Sequence, residues 1–220
     1  MNRFPTFVIN VKHRKDRLEH IRNEFRGRDE FDLTIIDASV DPIGRVGLWK
    51  SIRRIVEHAH KESLDLVIIS EDDHTFTPHY RHDVFVRQVR EAQSRKVDVL
   101  SGGIAGFGYA LPITQGMFWV DWFWATQFIV LFRPFYEQLL GYSFRETDTA
   151  DGVISNLSMA KMTLYPFISR QKDFGYSDVT SDNNTGAIIR LFAQADNRFT
   201  EIQEVLDRYA EKPTIGIHQR

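Results

Sequence analysis

Leu66-Val67-Ile68-Ile69-Ser70-Glu71-Asp72-Asp73 is the stretch on which the fold turns. An unbroken apolar run of this length reads as a strand buried on both faces. Three carboxylates at the end of a buried strand are costly to hold without a partner. Ligands of open α/β sheets bind at the carboxyl ends of the strands. A hard divalent cation satisfies carboxylate oxygens and keeps positions for water and substrate phosphate. The triplet therefore points to a metal-assisted site for a phosphate-bearing substrate. The plainer alternative is a solvated acidic turn.

Outward from this strand, elements of the two periods alternate. Residues 6–11 read as a first strand, followed by a basic turn over 12–17. Leu18, Ile21 and Phe25 then fall at helical spacing. Residues 32–38 read as a second strand, and Leu48, Ile52, Ile55, Val56 and Ala59 form one helical stripe. Downstream, the spacing predicts a helix through Phe85, Val89 and Ala92 and a strand over 97–101. A flexible loop with Gly102, Gly103, Gly106 and Gly108 is expected next, then a strand over 125–132. Pro134 opens a helix running to about residue 142. A helix over 150–160, a strand near Leu164, a polar loop over 172–185 and a helix over 188–209 complete the reading. Alternation of this kind predicts an α/β sandwich with a largely parallel sheet. Residues 1–185 would form the main domain and 186–220 a helical extension of it.

The whole chain narrows the function classes. Its 220 residues are 42% hydrophobic, enough for a sizeable core, and the formal net charge is -2. With no strongly basic block, the chain is not expected to bind nucleic acid. The absence of cysteine excludes disulfides, thiolate metal sites and cysteine nucleophiles. The N-terminus lacks the apolar stretch of a secretion signal. The most apolar later window, 116–132, is broken by Asp121 and Gln127 and is short for a membrane span. A cytoplasmic protein is expected, touching a membrane peripherally if at all. No glycine-rich dinucleotide or P-loop fingerprint follows the first strand. Asn10-Val11-Lys12-His13-Arg14-Lys15-Asp16-Arg17 stands there instead, and cationic side chains at a strand end suit a nucleotide diphosphate.

Several segments, in order, resemble glycosyltransferase family 25, which includes bacterial lipooligosaccharide and collagen galactosyltransferases. Phe7-Val8-Ile9-Asn10-Val11 with Arg14, Asp16, Arg17 and Leu18 resembles the family's opening. Asp37-Ala38 and Gly47-Leu48-Trp49-Lys50-Ser51 continue it, although Ile52 stands where the family carries a histidine. Ile68-Ile69-Ser70-Glu71-Asp72-Asp73 resembles the apolar strand with its Glu-Asp-Asp motif. Thr126-Gln127-Phe128-Ile129-Val130-Leu131 with Leu139-Leu140 resembles the strand and helix beyond the acceptor loop. Asp148 or Asp151 with Gly152-Val153-Ile154 resembles the later acidic segment. Tyr165-Pro166-Phe167-Ile168, Gln171 and Ser177-Asp178-Val179 resemble the ending. The matches span roughly residues 6–180.

The resemblance implies an A-type glycosyltransferase fold, a Rossmann-like, mainly parallel sheet flanked by helices. It also implies transfer of a hexose, galactose or glucose, from a UDP-sugar donor to a glycan or glycoconjugate acceptor, with inversion, as in lipopolysaccharide biosynthesis. Mn²⁺ or Mg²⁺ is the expected cofactor; both suit oxygen ligands. Asp73 and Asp72 are the expected metal ligands. Asn10, Arg14, Arg17, Glu71 and Asp72 are expected at the donor. Asp151, with Asp148 behind it, is the expected general base, set against helix capping as the plainer role. Asp121, Trp122 and Trp124 are expected at the acceptor, set against simple core filling for the tryptophans. His74 and His218 are left out of the ligand set. Two other functions fit the same residues. One is a metal-dependent phosphohydrolase, and the other an inactive member that binds nucleotide or glycan, consistent with Ile52.

Overall fold

A computed structural model describes residues 3–175 and 186–210, apart from the side chain of residue 210. Ser177-Asp178-Val179, most of the polar loop and His218 lie outside the described residues.

The first three strands are β1 (Phe4–Asn10), β2 (Phe31–Asp37) and β3 (Leu66–Glu71), with β1 parallel to both of the others. Helices α1 (Lys15–Phe25) and α2 (Gly44–Lys61) make the crossovers between them. After β3 come a short β4 (His74–Phe76), α3 (His82–Ser94) and β5 (Val99–Ser101). A hairpin of β6 (Ala110–Thr114) and β7 (Met117–Val120) leads to β8 (Phe128–Phe132). A 3-10 turn over Arg133–Phe135 runs into α4 (Tyr136–Leu140), followed by α5 (Ala150–Leu157). β9 (Lys161–Leu164), β10 (Ser169–Gln171) and α6 (Ala187–Ala210) close the order.

The main sheet has eight strands in the order β2-β1-β3-β8-β5-β9-β7-β6. β8 and β7 run against the other strands, so the sheet is mainly parallel and flanked by helices, as expected from the sequence. β4 and β10 pair antiparallel in a separate ribbon.

β3 shows why an apolar run becomes a central strand. Its side chains alternate between faces, as the pleat requires. Val67 and Ile69 join a core with Ile52, Ile55 and Val56 of α2, Ile154 of α5 and Phe199 of α6. Leu66 and Ile68 join the opposite core with Ile21 and Phe25 of α1 and Phe85 and Val89 of α3. Burying each such side chain contributes roughly 1.5–3 kcal/mol. Neither layer leaves water a place to solvate the strand, so polar residues appear only where it ends.

Some boundaries move. The strand expected over 125–132 starts at Phe128, because Ala125 adopts a left-handed backbone with φ 83°. Arg17 lies in the first turn of α1 rather than in a loop. The helix expected over 150–160 stops at Leu157. The hairpin, β4 and β10 have no counterpart in the sequence reading. α6, which falls within the expected C-terminal extension, buries Phe192, Ala195 and Phe199. Among the described residues no helix is long and apolar enough to cross a membrane.

Candidate active site

Strand register assembles the site. Ile9 pairs with Glu71 and Asn10 with Asp37, so the carboxyl ends of three strands finish level. β8 runs the other way and pairs Phe128 with Ser70, which sets Thr126 and Gln127 beside the acidic triplet. A cavity of about 870 Å³ opens at this edge. Glu71, Asp72 and Asp73 line it, with Arg14 and Arg17 from the β1 side and Asp151 from α5. Residues 38–42 and Leu48 form one wall; Ala187, Ile188 and Leu191 of α6 form another.

The triplet is tightly held. Asp72 accepts hydrogen bonds from Asn10 Nδ2 at 2.8 Å and from Arg17 Nη1 at 3.1 Å. The same Arg17 nitrogen reaches Asp73 Oδ2 at 3.1 Å, and Gln171 Nε2 reaches that oxygen at 2.8 Å. Asp73 is only 5% exposed, and its Oδ1 has no hydrogen-bond partner among the described residues. Glu71 accepts from Thr126 Oγ1 at 2.7 Å. Burial, reinforced by the Asp73 charge, pushes the Glu71 carboxyl up to about 8. Burial also raises Asp73, to about 6, against the opposing pull of Gln171 and Arg17. These are crowded carboxylates short of positive charge.

The donor set fits a hard cation in one respect. Asp73, which lines the cavity, has an orphaned buried oxygen, and Mg²⁺ commonly takes only one or two protein carboxylates beside substrate phosphate and water. Among the described residues no three His, Asp or Glu side chains are grouped to hold an ion by themselves. Any ion here would therefore share its coordination with substrate.

Asp151 sits in the first turn of α5. Its Oδ2 accepts the Ala125 N–H at 2.9 Å and its Oδ1 the Gly152 N–H at 2.8 Å. The helix cap is Thr149, whose hydroxyl accepts from the Gly152 N–H. The carboxylate instead pins the left-handed Ala125, and both residues line the cavity. A non-glycine residue in this conformation persists only where its surroundings enforce it.

The other expected residues are placed differently. Asp148 is absent from the cavity wall; it accepts from the Arg145 N–H at 2.8 Å and from Tyr142 Oη at 3.0 Å. Those donors, the backbone N–H first, hold its carboxyl below the usual range. Asn10 is buried behind the wall and serves Asp72. Asp121 also lies off the cavity. Its Oδ1 gathers the N–H groups of Gly108, Tyr109 and Trp122, and a Cβ on Gly108 would sit 2.3 Å from its Oδ2. Close approach at Gly108 thus accounts for the glycine there. Trp124 lines the cavity and is 48% exposed, whereas Trp122 packs against it at 5.0 Å between ring centroids. Trp119 is on β7 and donates to the Met159 carbonyl. His74 is fully buried and bonded to Ser169.

Sequence reasoning assigned no role to Thr126, Gln171 or the wall supplied by α6. Gln171 falls in the family-like ending and was legible there as a position. Thr126 likewise opens a family-like segment, but its contact with Glu71 comes from the sheet register; Leu191 carries no local signal, because the helix seat brings it in.

The chain matches no family model and no curated protein in sequence. Among solved structures it is similar to A197 from STIV, at 14% identity and a TM-score of 0.50, over 80% of this chain and 87% of that one. It is also similar to UDP-glucose pyrophosphorylase complexed with UDP-glucose, at 9% identity and a TM-score of 0.46, over 90% and 81% of the two chains. A glycosyltransferase involved in glycosylation of the major capsid of PBCV-1 aligns at 9% identity and a TM-score of 0.39, over 62% of this chain and 63% of that one. The likeness to A197 shows the fold alone, and the two weaker likenesses carry no argument about chemistry.

Proposed function

We propose that this chain is a metal-dependent glycosyltransferase. It moves a hexose, galactose or glucose, from a UDP-sugar to a hydroxyl of a glycan, with inversion, in the manner of glycosyltransferase family 25. One observation carries the reading: the acidic triplet, two arginines and a separate carboxylate line a single cavity of about 870 Å³. That volume is of the size that holds a small-molecule ligand with its polar groups converging.

Asp73 and Asp72 would hold Mn²⁺ or Mg²⁺, which when bound offsets the charge growing on the departing diphosphate. Arg14 and Arg17 present cationic groups to the same diphosphate. Glu71, fixed by Thr126, faces the donor from the end of β3. Asp151 holds the proton released by the acceptor hydroxyl, and its two backbone hydrogen bonds fix where it does so. Trp124 offers an exposed aromatic face for a sugar ring. Outside the cavity, Trp122 packs against Trp124 and Asp121 accepts the Trp122 N–H, while Asp148 stays with its own turn.

The test is a donor screen with UDP-galactose and UDP-glucose, read by UDP release in the presence of sugar acceptors. UDP release that is lost with a chelator and restored by Mn²⁺ or Mg²⁺ is expected. Undiminished turnover in excess chelator would end the metal assignment. Calorimetric UDP binding without turnover would select the binding-only alternative. Phosphate release without a glycosylated product would select the phosphohydrolase.

A further inference from the structure

The site contains a cation of its own. A single nitrogen, Arg17 Nη1, lies 3.1 Å from Asp72 Oδ1 and 3.1 Å from Asp73 Oδ2. The arginine is buried to within 4% and its guanidinium lies 4.8 Å from the centre of the Phe174 ring. The side chain also lines the cavity, so a bound diphosphate would meet it directly. It comes from the first turn of α1, while the aspartates follow β3, and the two segments are far apart in sequence.

Two buried carboxylates share one guanidinium, whose single charge offsets only part of theirs. Removing the guanidinium would leave two negative groups in a poorly solvated place, which is strongly unfavourable unless another cation arrives. A divalent ion at Asp73 and Asp72 would therefore compete with Arg17 for the same oxygens. A nucleotide diphosphate changes the balance, because its oxygens are an alternative partner for the guanidinium. Drawing Arg17 toward the diphosphate frees the aspartates as the ion's further ligands arrive with the substrate.

We propose that Arg17 is a built-in counter-cation that makes divalent-ion binding depend on the nucleotide. The inference rests on the metal-dependent reading of this same site and adds the order of events. The carboxylates stay paired with Arg17 until a nucleoside diphosphate engages it, and only then do they take the ion tightly. By linkage, the ion raises nucleotide affinity by the same factor.

The test is Mn²⁺ binding to the full chain, read by the electron paramagnetic resonance of free Mn²⁺, with and without UDP. The wild type should bind Mn²⁺ weakly alone and more tightly with UDP, by a factor within the ordinary range of site coupling, about 5–150-fold. Arg17→Met should bind Mn²⁺ alone about tenfold more tightly than wild type, and the effect of UDP should shrink correspondingly. Arg17→Gln, which keeps hydrogen-bond donors without the charge, should behave likewise and stands in if Arg17→Met does not fold by circular dichroism. Arg17→Lys should remain near wild type, because it keeps the charge. If the folded neutral variants bind Mn²⁺ no more tightly than wild type, the counter-cation role is overturned, while Mn²⁺ binding by wild type with UDP preserves the metal-dependent reading. If wild type binds no Mn²⁺ even with saturating UDP, both fail.

Discussion

The two acidic segments of this chain lie in different surroundings. Glu71-Asp72-Asp73 follows a central strand, and all three residues line the cavity. In the second segment Asp151 reaches the cavity and Asp148 does not. The difference lies in what each carboxylate has at hand. Asp148 sits in a turn whose own Arg145 N–H and Tyr142 hydroxyl capture it. The triplet ends the central strand, where burial and neighbouring carboxylates push Glu71 and Asp73 up despite the hydrogen bonds they accept. A carboxylate satisfied by its own loop is available for little else, whereas one held in a crowded, buried set favours an incoming cation or a proton.

Three substitutions test this contrast. The largest effect is expected for Asp151→Asn, which keeps an oxygen for the Ala125 N–H but cannot take a proton from the acceptor. Turnover measured by UDP release should fall about 100- to 10000-fold with UDP affinity unchanged. Near wild-type turnover with saturating acceptor would move the base elsewhere. Asp73→Asn should reduce turnover by about 100- to 1000-fold, the scale of losing one main electrostatic stabiliser. It should also weaken Mn²⁺ binding in the presence of UDP, and unchanged Mn²⁺ affinity would remove Asp73 from the ligand set.

The smallest effect belongs to Asp148→Asn, expected to leave turnover intact and to lower the melting temperature slightly. The sign with pH follows from the depressed pKa in the folded state. The stabilisation from ionised Asp148 is present above the ordinary carboxylate pKa and is lost as pH falls through the depressed folded value. The difference in melting temperature from wild type should therefore be present at neutral pH and fade in acid. A large loss of turnover in Asp148→Asn with stability unchanged would reverse the ranking of the two carboxylates.

The fold was legible where one residue pattern left one packing solution. Two crossovers with helical stripes and an apolar run at β3 could bury themselves only as a parallel sheet with helices on its faces. The β6–β7 hairpin was not legible. β6 is an edge strand that leaves Leu111 and Ile113 exposed, contains Pro112 and has an irregular register beside it, so it shows no clean alternation. Proline is tolerated there because an edge strand can spare a ladder hydrogen bond. β4 and β10 are three residues each, too short for periodicity to register. The residues around Ala125 read as strand because apolar content hides a left-handed backbone that only the Asp151 contact reveals.

The sequence by itself determined that carboxylates stand at the end of a buried strand and that arginines follow the first strand, since both facts are local to the chain. Only the tertiary structure decided that they meet. Parallel register places Ile9 opposite Glu71, and the first turn of α1 then lowers Arg17 onto Asp72 and Asp73. The antiparallel insertion of β8 brings Thr126 to Glu71, and the seat of α6 supplies a wall from the far end of the chain. The physical reason is that residue type and spacing fix which face of its own element a side chain takes, whereas charge pairing depends on which other element packs there.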